Sequence, residues 1–412
     1  MRYWRKLTGD EIRERVFGAL NRNINYKERT TLGIPASHLD ENVFNQDATY
    51  LKDAPFLSAM VHNPNHIGCH TLGDSEQFFA GTQQIERELI ALVAEDILKG
   101  EPNAHDGYVA SGGTEANMQA IWIYRNFFLR ESGAKNNEIA ILCSADSHYS
   151  MPKAGNIMNL PVISVPVDDT TREIQQEVLD QKLKEAKTSG IRYFIVVSNM
   201  MTTMFGSVDQ VGTYVDALKR AGVEYKIHID GAYGGFVYPF STTDEELTFL
   251  NPEITSFTLD AHKMVQAPFG TGIFIIRKGW MKYATTEEAQ YVQGMDATII
   301  GSRSGANAIA VWMILQTYGP HGWFEKIHIL NYRTEWVCQQ LEELNVPFYR
   351  NPSSNLVTMR AASIPIELVE KYGLVPDSHN NPRWYKIVVM EHVTVDHLMP
   401  FVEDLKALLA AK

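Results

Sequence analysis

Between residues 108 and 277 short β-rich runs alternate with helical stretches, and this alternation limits the fold more than any other feature. Strands are expected over 139–144, 162–165, 193–198, 226–230, 255–259 and 273–276. Helices are expected over 114–129, 173–187 and 208–221. Runs that are apolar on both faces, with helices between them, describe a mostly parallel sheet covered on both sides. Sheets of this kind bind ligands beyond the carboxyl ends of their strands. Chemistry is therefore to be sought at those ends.

A chain of 412 residues suits one large domain with a smaller companion. The expected division is an N-terminal segment over 1–60, a large α/β domain over 61–320 and a small α+β domain over 321–412. The first segment looks helical over 8–20 and cannot bury itself alone, so it is expected to pack on the main body or on a second subunit. An amphipathic helix is expected over 82–99, with Thr82 as its cap and Gly100 at its end. Residues 278–300 are polar and suggest a mobile excursion over the site. Long helical regions follow over 306–317 and after Pro320. The last part mixes strands at 356–360 and 385–389 with a helix at 395–409.

A net charge of −12 and the lack of a basic tract argue against a nucleic-acid partner. The first sixteen residues are too charged for a secretory signal, and no apolar run is long enough to span a bilayer. Cys69, Cys143 and Cys338 lie far apart and read as free thiols in a reducing compartment, which makes a cytoplasmic protein the expectation. His62, His66, Cys69 and His70 share a polar loop, but no second ligand cluster accompanies them. No metal is expected there, and a pocket-lining role is the alternative.

Four motifs fall where strands should end. Ser256–Gly272 runs from a strand into Asp260-Ala261-His262-Lys263 and then a loop with Pro268, Gly270 and Gly272. A lysine that attacks an aldehyde gains from such partial desolvation, whereas a surface lysine needs no such setting. Ser111-Gly112-Gly113-Thr114 turns a short run into a helix, where amides and hydroxyls suit a phosphate; a capped helix after a glycine turn reads the same. His148 follows the 139–144 run and fits either a structural role or stacking on a planar ligand. Asp230 closes an apolar run before Gly231-Ala232-Tyr233-Gly234-Gly235. A carboxylate there needs a cation or donor, or else caps the next turn. Together these pieces fit pyridoxal 5'-phosphate, which takes a lysine for its aldehyde, an acid for its ring nitrogen and an anion cradle.

DGAYGG, SFTLDAHKM, SGGTEAN and GSRSGA together closely resemble the group II pyridoxal-phosphate amino acid decarboxylases, of aspartate-aminotransferase-like fold (PLP fold type I). The nearest branch holds archaeal tyrosine/aspartate decarboxylases, with sphingosine-phosphate lyases as cousins. LGDSEQFFAGTQQIERELI and WYKIVVMEHVT resemble the same branch, and the likeness runs from about residue 60 onward. The resemblance implies that Lys263 holds the cofactor aldehyde, Asp230 pairs with its ring nitrogen and His148 stacks on the ring. Gly113, Thr114 and His262 correspond to phosphate contacts, with Asp260 where relatives often carry Asn or Ser. Thr202 corresponds to a threonine near the phenolic oxygen. Tyr291 falls where relatives place the tyrosine that protonates the product, with Tyr283 as its rival. Ser302 and Arg303 match a subunit-interface segment, Ser302 reaching the partner's phosphate. Where glutamate decarboxylases carry a carboxylate-binding arginine this chain has Glu391, which leaves Arg383 as the candidate for that role and a basic substrate open. His66 and His70 are candidate substrate contacts.

The resulting expectation is a homodimeric amino acid α-decarboxylase that yields an amine and carbon dioxide, with aromatic substrates slightly favoured. Two other readings stand beside it: a carbon–carbon lyase acting on a phosphorylated amino alcohol with the same cofactor, and a non-catalytic cofactor-binding or scaffold protein.

Overall fold

A computed structural model describes residues 10, 30, 32, 33, 40–44, 65, 66, 80–285 and 296–410. The helix expected over 8–20 lies outside them apart from Asp10. Tyr291, His62, Cys69 and His70 lie outside entirely, and only the backbone of His66 is described, in a short antiparallel pairing of Asn65–His66 with Arg303–Ser304.

Seven strands form the large sheet: β1 (His105–Ala110), β2 (Ile139–Ser144), β3 (Val162–Val165), β4 (Tyr193–Asn199), β5 (Glu224–Gly231), β6 (Ile254–Asp260) and β7 (Gly272–Arg277). Their spatial order is β1-β7-β6-β5-β4-β2-β3. From β6 to β3 every neighbouring pair is parallel. β7 runs against both its neighbours. β2 and β6 are buried along their whole length, as strands covered on both faces must be. The covering helices include α1 (Ala80–Ala91), α2 (Gly113–Glu131), α3 (Ser150–Met158), α4 (Gln176–Thr188) and α5 (Val211–Ala221).

The helix expected over 82–99 departs from plan. α1 passes at Leu92–Ile97 into a π-helical turn, and the chain leaves through Lys99, whose φ is 56°. Lys99 rather than Gly100 makes the left-handed turn. The long helix α6 (Gly305–Glu343) breaks at Gly319 (φ 61°) just before Pro320, so its two halves match the two expected regions.

A second, four-stranded antiparallel sheet has the order β8 (Phe348–Tyr349), β9 (Leu356–Arg360), β11 (Trp384–Val388), β10 (Val375–Pro376), with α7 (Ile366–Tyr372) and α8 (Val395–Ala410) beside it. Leu32 is fully buried here; its N–H donates to Tyr372 O at 3.1 Å and its carbonyl accepts from Val388 N at 2.6 Å. The two sheets are tied through Asp169. Its carboxylate takes Arg360 and Arg383, each at 2.7 Å, and Arg172 at 3.3 Å. Arg172 also pairs with Asp146, two residues from His148, and lies over the Phe205 ring.

Arg303 and Glu86 form a forked ion pair almost without solvent contact. Arg303 also donates to Val109 O at 3.0 Å and lies over the Tyr108 ring. Removing one partner leaves the other charge buried. Arg303→Ala is therefore expected to cost about 3–5 kcal/mol of folding stability, read as a lower urea midpoint.

Candidate active site

The carboxyl ends of β4, β5 and β6 lie side by side, with Asn199 opposite Asp230 and Asp230 opposite Thr258. β1 ends beside them, because Ala110 pairs with Gly272 and Gly272 with Asp260. The chain leaving β1 therefore delivers the N-terminus of α2 to the same edge. Only glycine permits this approach: a Cβ on Gly113 would come 2.9 Å from the Ala232 Cβ, and one on Gly272 would come 2.4 Å from Gly112 C. Gly113 N–H donates to Asp260 Oδ2 at 3.1 Å, which locks α2 onto the tip of β6.

A cavity of 310 Å³ opens at this edge, and Gly113, Thr114, His148, Asp260, His262 and Lys263 line it. A roomier groove of 460 Å³ beside His105 and Lys278, at the opposite end of β1, contains none of these residues. Lys263 follows β6 in a tight turn, its N–H donating to Asp260 O at 3.1 Å. Asp260 Oδ1 and His262 Nδ1 lie 2.8 Å apart outside hydrogen-bonding geometry, and both atoms are buried without a hydrogen-bond partner.

Asp230 accepts from Asn117 Nδ2 at 2.8 Å and from Ala232 N at 3.1 Å. Both donors belong to residues that line the cavity. His148 accepts the Ser150 N–H on Nδ1 at 3.2 Å, so a neutral ring carries its proton on Nε2. Burial first, and then Lys263 and Lys153, pull this imidazole below its ordinary value, against Asp230.

Beneath Asp230, on the same face of β5, sits fully buried His228. Burial pushes it down to about 4 from 6.5. The unfolded chain therefore binds this proton at higher pH than the folded protein does. The stability it carries is whole above about pH 6.5 and is lost as pH falls toward 4, by roughly 3 kcal/mol at the acid limit. His228→Gln should remove that slope from urea midpoints measured across the same range.

Several sequence candidates sit elsewhere. Tyr283 is buried against Phe127 and Trp280, and its hydroxyl donates to Glu131 at 3.0 Å. Glu131 is the last residue of α2, about 28 Å of helix from Gly113. Tyr283 therefore cannot deliver a proton at Lys263 from this position. Arg383 is largely exposed and engaged by Asp169, away from the cavity lining. Glu391 pairs with Lys326 at 2.8 Å, and Lys326 also holds Asp40. Ser302 is exposed, and Arg303 faces Glu86 inside the subunit. Thr202 is buried just past β4, its hydroxyl 2.7 Å from Ser207 Oγ, while Met200 N–H donates to Asp230 O at 2.9 Å.

Residues 83–347 match the pyridoxal-dependent decarboxylase conserved domain. The chain belongs to this decarboxylase family. It is 49% identical over 407 residues to a tryptophan decarboxylase of Clostridium sporogenes, covering 98% of each chain. It is 30% identical over 375 residues to a probable L-tyrosine/L-aspartate decarboxylase of Methanocella arvoryzae, covering 87% of this chain and 95% of the other. Among solved structures it resembles the L-methionine decarboxylase of Streptomyces sp. 590, with a TM-score of 0.77 at 19% identity over 97% of this chain and 96% of that one. The fold is that of these enzymes, the PLP fold type I.

As a pyridoxal-dependent decarboxylase the protein is an enzyme whose cofactor is pyridoxal 5'-phosphate. The residues at the sheet edge fit that group. Lys263 offers an amine and Asp230 a carboxylate, and the first-turn amides of α2 lack intrahelical acceptors. His262 Nδ1, buried beside Asp260 without a hydrogen bond, adds a polar atom at the mouth of that helix. Among the described residues no group of three or more His, Cys, Asp or Glu side chains is placed to hold a metal ion, and no helix is long and apolar enough to cross a membrane.

Three neighbours of the site carried no role in the sequence reading. Asn117 closes the SGGTEAN motif and His228 stands two residues before DGAYGG, and the i, i+2 spacing of His228 and Asp230 on one strand face was the available signal. Lys386, on β11, is buried and donates to Thr203 O at 3.0 Å. Burial, then the nearby Lys263 charge, push it down to about 8.

Proposed function

We propose that the substrate is an aromatic L-amino acid, tryptophan foremost, converted to the corresponding amine and carbon dioxide. The observation that carries this is the 49% identity to the tryptophan decarboxylase of Clostridium sporogenes across 98% of both chains.

When bound, pyridoxal phosphate supplies the electron sink that the departing carboxylate requires. In this reading Lys263 would hold the cofactor through its aldehyde. Asp230 would pair with the ring nitrogen, and its bonds to Asn117 and Ala232 hold the carboxylate in place. His148, with its proton on Nε2, would stack on the cofactor ring. Gly113, Thr114 and His262 would hold its phosphate, and Thr202 would stand near its phenolic oxygen. Tyr291 gives the proton to the product carbon. Lys386 takes over the substrate-carboxylate role first assigned to Arg383, because it is a buried cation that reaches Thr203 O, next to Thr202, and feels the Lys263 charge. His66 and His70 remain candidate substrate contacts.

The protein acts as a cytoplasmic homodimer in this reading, with Ser302 at the shared interface. Exposed Phe269, Ile299 and Ile300 support a second copy near the site. Incubating the holoenzyme with each of the twenty amino acids tests the proposal. Tryptophan should release carbon dioxide and tryptamine fastest. Release from aspartate or glutamate but not from tryptophan would overturn the substrate, and an aldehyde product without carbon dioxide would favour carbon–carbon lysis.

A further inference from the structure

A chain of hydrogen bonds runs through the core beneath the cofactor edge, and the carboxylate at its end sets the direction in which the links are read. A carboxylate only accepts, so Asn117 Nδ2 donates to Asp230 Oδ2. That orientation turns Asn117 Oδ1 toward His228 Nε2, 3.0 Å away, so Nε2 carries the proton. Thr258 Oγ1 lies 3.1 Å from the same nitrogen and shares it. The buried ring is neutral and holds one proton, which leaves Nδ1 bare. Ser256 Oγ, 2.7 Å away, must then donate to Nδ1. The Ser256 oxygen in turn accepts the Tyr124 hydroxyl. Tyr124, Ser256 and His228 are fully buried, and Asn117 is 1% exposed, so water cannot replace any link.

The Asn117 amide does a second thing. Its Nδ2 also lies 3.2 Å from Ser150 Oγ, which is 2.9 Å from His148 Nδ1. One amide group thus touches the acid directly and reaches the imidazole through the Ser150 hydroxyl.

We propose that His228 is a positioning residue, which as the Nε2–H tautomer fixes the Asn117 amide so that it orients Asp230 and His148 together. Reversing the tautomer would present a bare nitrogen to Asn117 Oδ1. The amide would then turn over and point oxygen at the Asp230 carboxylate. The inference rests on Asp230 and His148 being the cofactor contacts named above.

Long-range proton–nitrogen spectra of the apoprotein read the tautomer without cofactor or turnover. The expected spectrum shows a neutral His228 ring with its proton on Nε2 throughout about pH 5.5–8. A proton on Nδ1, or titration near the ordinary histidine value, overturns the proposal. His228→Leu should weaken pyridoxal phosphate binding to the apoprotein by about tenfold to a hundredfold, and His228→Gln, which restores a donor, should recover most of it. The pH dependence of the bound cofactor's absorbance should move in the leucine variant only. Ser256→Ala removes the donor to Nδ1 and should let the Nδ1–H tautomer appear, which keeps the test open should the leucine variant fail to fold. Unchanged cofactor affinity in both His228 variants and in Ser256→Ala would refute positioning. Asp230→Ala serves as the control: if it leaves cofactor affinity and absorbance untouched, the assignment of Asp230 fails instead, while the tautomer result stands.

Discussion

Lys263→Ala is expected to give a folded protein that acquires no visible absorption from pyridoxal phosphate and decarboxylates roughly 10⁴-fold more slowly. The fold should survive because the backbone holds this turn. Lys263 N–H donates to Asp260 O, Gln266 N–H to Lys263 O, and Ala261 N–H to Thr271 O. None of these bonds uses the ammonium group. A second effect should accompany the first. Lys263 helps to depress His148 and Lys386, in each case after burial, so both should bind protons at higher pH in the variant. Absorption spectra, carbon dioxide release and nitrogen NMR of His148 check the three parts. A coloured, active variant would remove the lysine from the mechanism.

Asp230→Asn is expected to lower kcat by about 10²–10³-fold with little change in KM, the usual size for losing an electrostatic partner aimed at developing charge. The substitution preserves shape, yet it is not neutral. The Ala232 N–H still needs an acceptor at Oδ1, so the new amide nitrogen would face Asn117 Nδ2, donor against donor. Stability should therefore also fall, by about 1–3 kcal/mol. Steady-state kinetics and urea denaturation separate the two effects. A variant as fast as the native enzyme would show that Asp230 does not serve the reaction.

Much of this site is legible in the sequence itself. Asp230, Lys263 and the Ser111–Thr114 turn stand where apolar runs stop, and a parallel sheet brings such stops together. β2 and β3 match the expected strands to the residue, because apolar runs bounded by polar turns leave little freedom. Direction was not legible: an antiparallel β7 has the same periodicity as a parallel strand. Nor were partners distant in sequence. Arg383 looked available until Asp169, more than two hundred residues earlier, took its guanidinium. Tyr283 was near enough in sequence to Tyr291 to compete with it, but α2 carries its partner Glu131 to the far end of the helix. Asn117 at the end of SGGTEAN and His228 just before DGAYGG each read as ordinary polar residues. Their meaning comes from a contact between β5 and α2 that no local pattern announces.

Because β7 opposes β6, the peptide carrying Lys263 is a hairpin return rather than a long crossover. Both of its feet are planted in adjacent strands, and Asn307 of α6 grips its crown through the Gly270 carbonyl at 2.6 Å. Such a loop has almost no slack. The Lys263 amine can change position only by rotation about its own four methylene carbons while the peptide beneath stays still. Insertions of even one residue here should be far less forgiving than in the helical crossovers on the rest of the sheet.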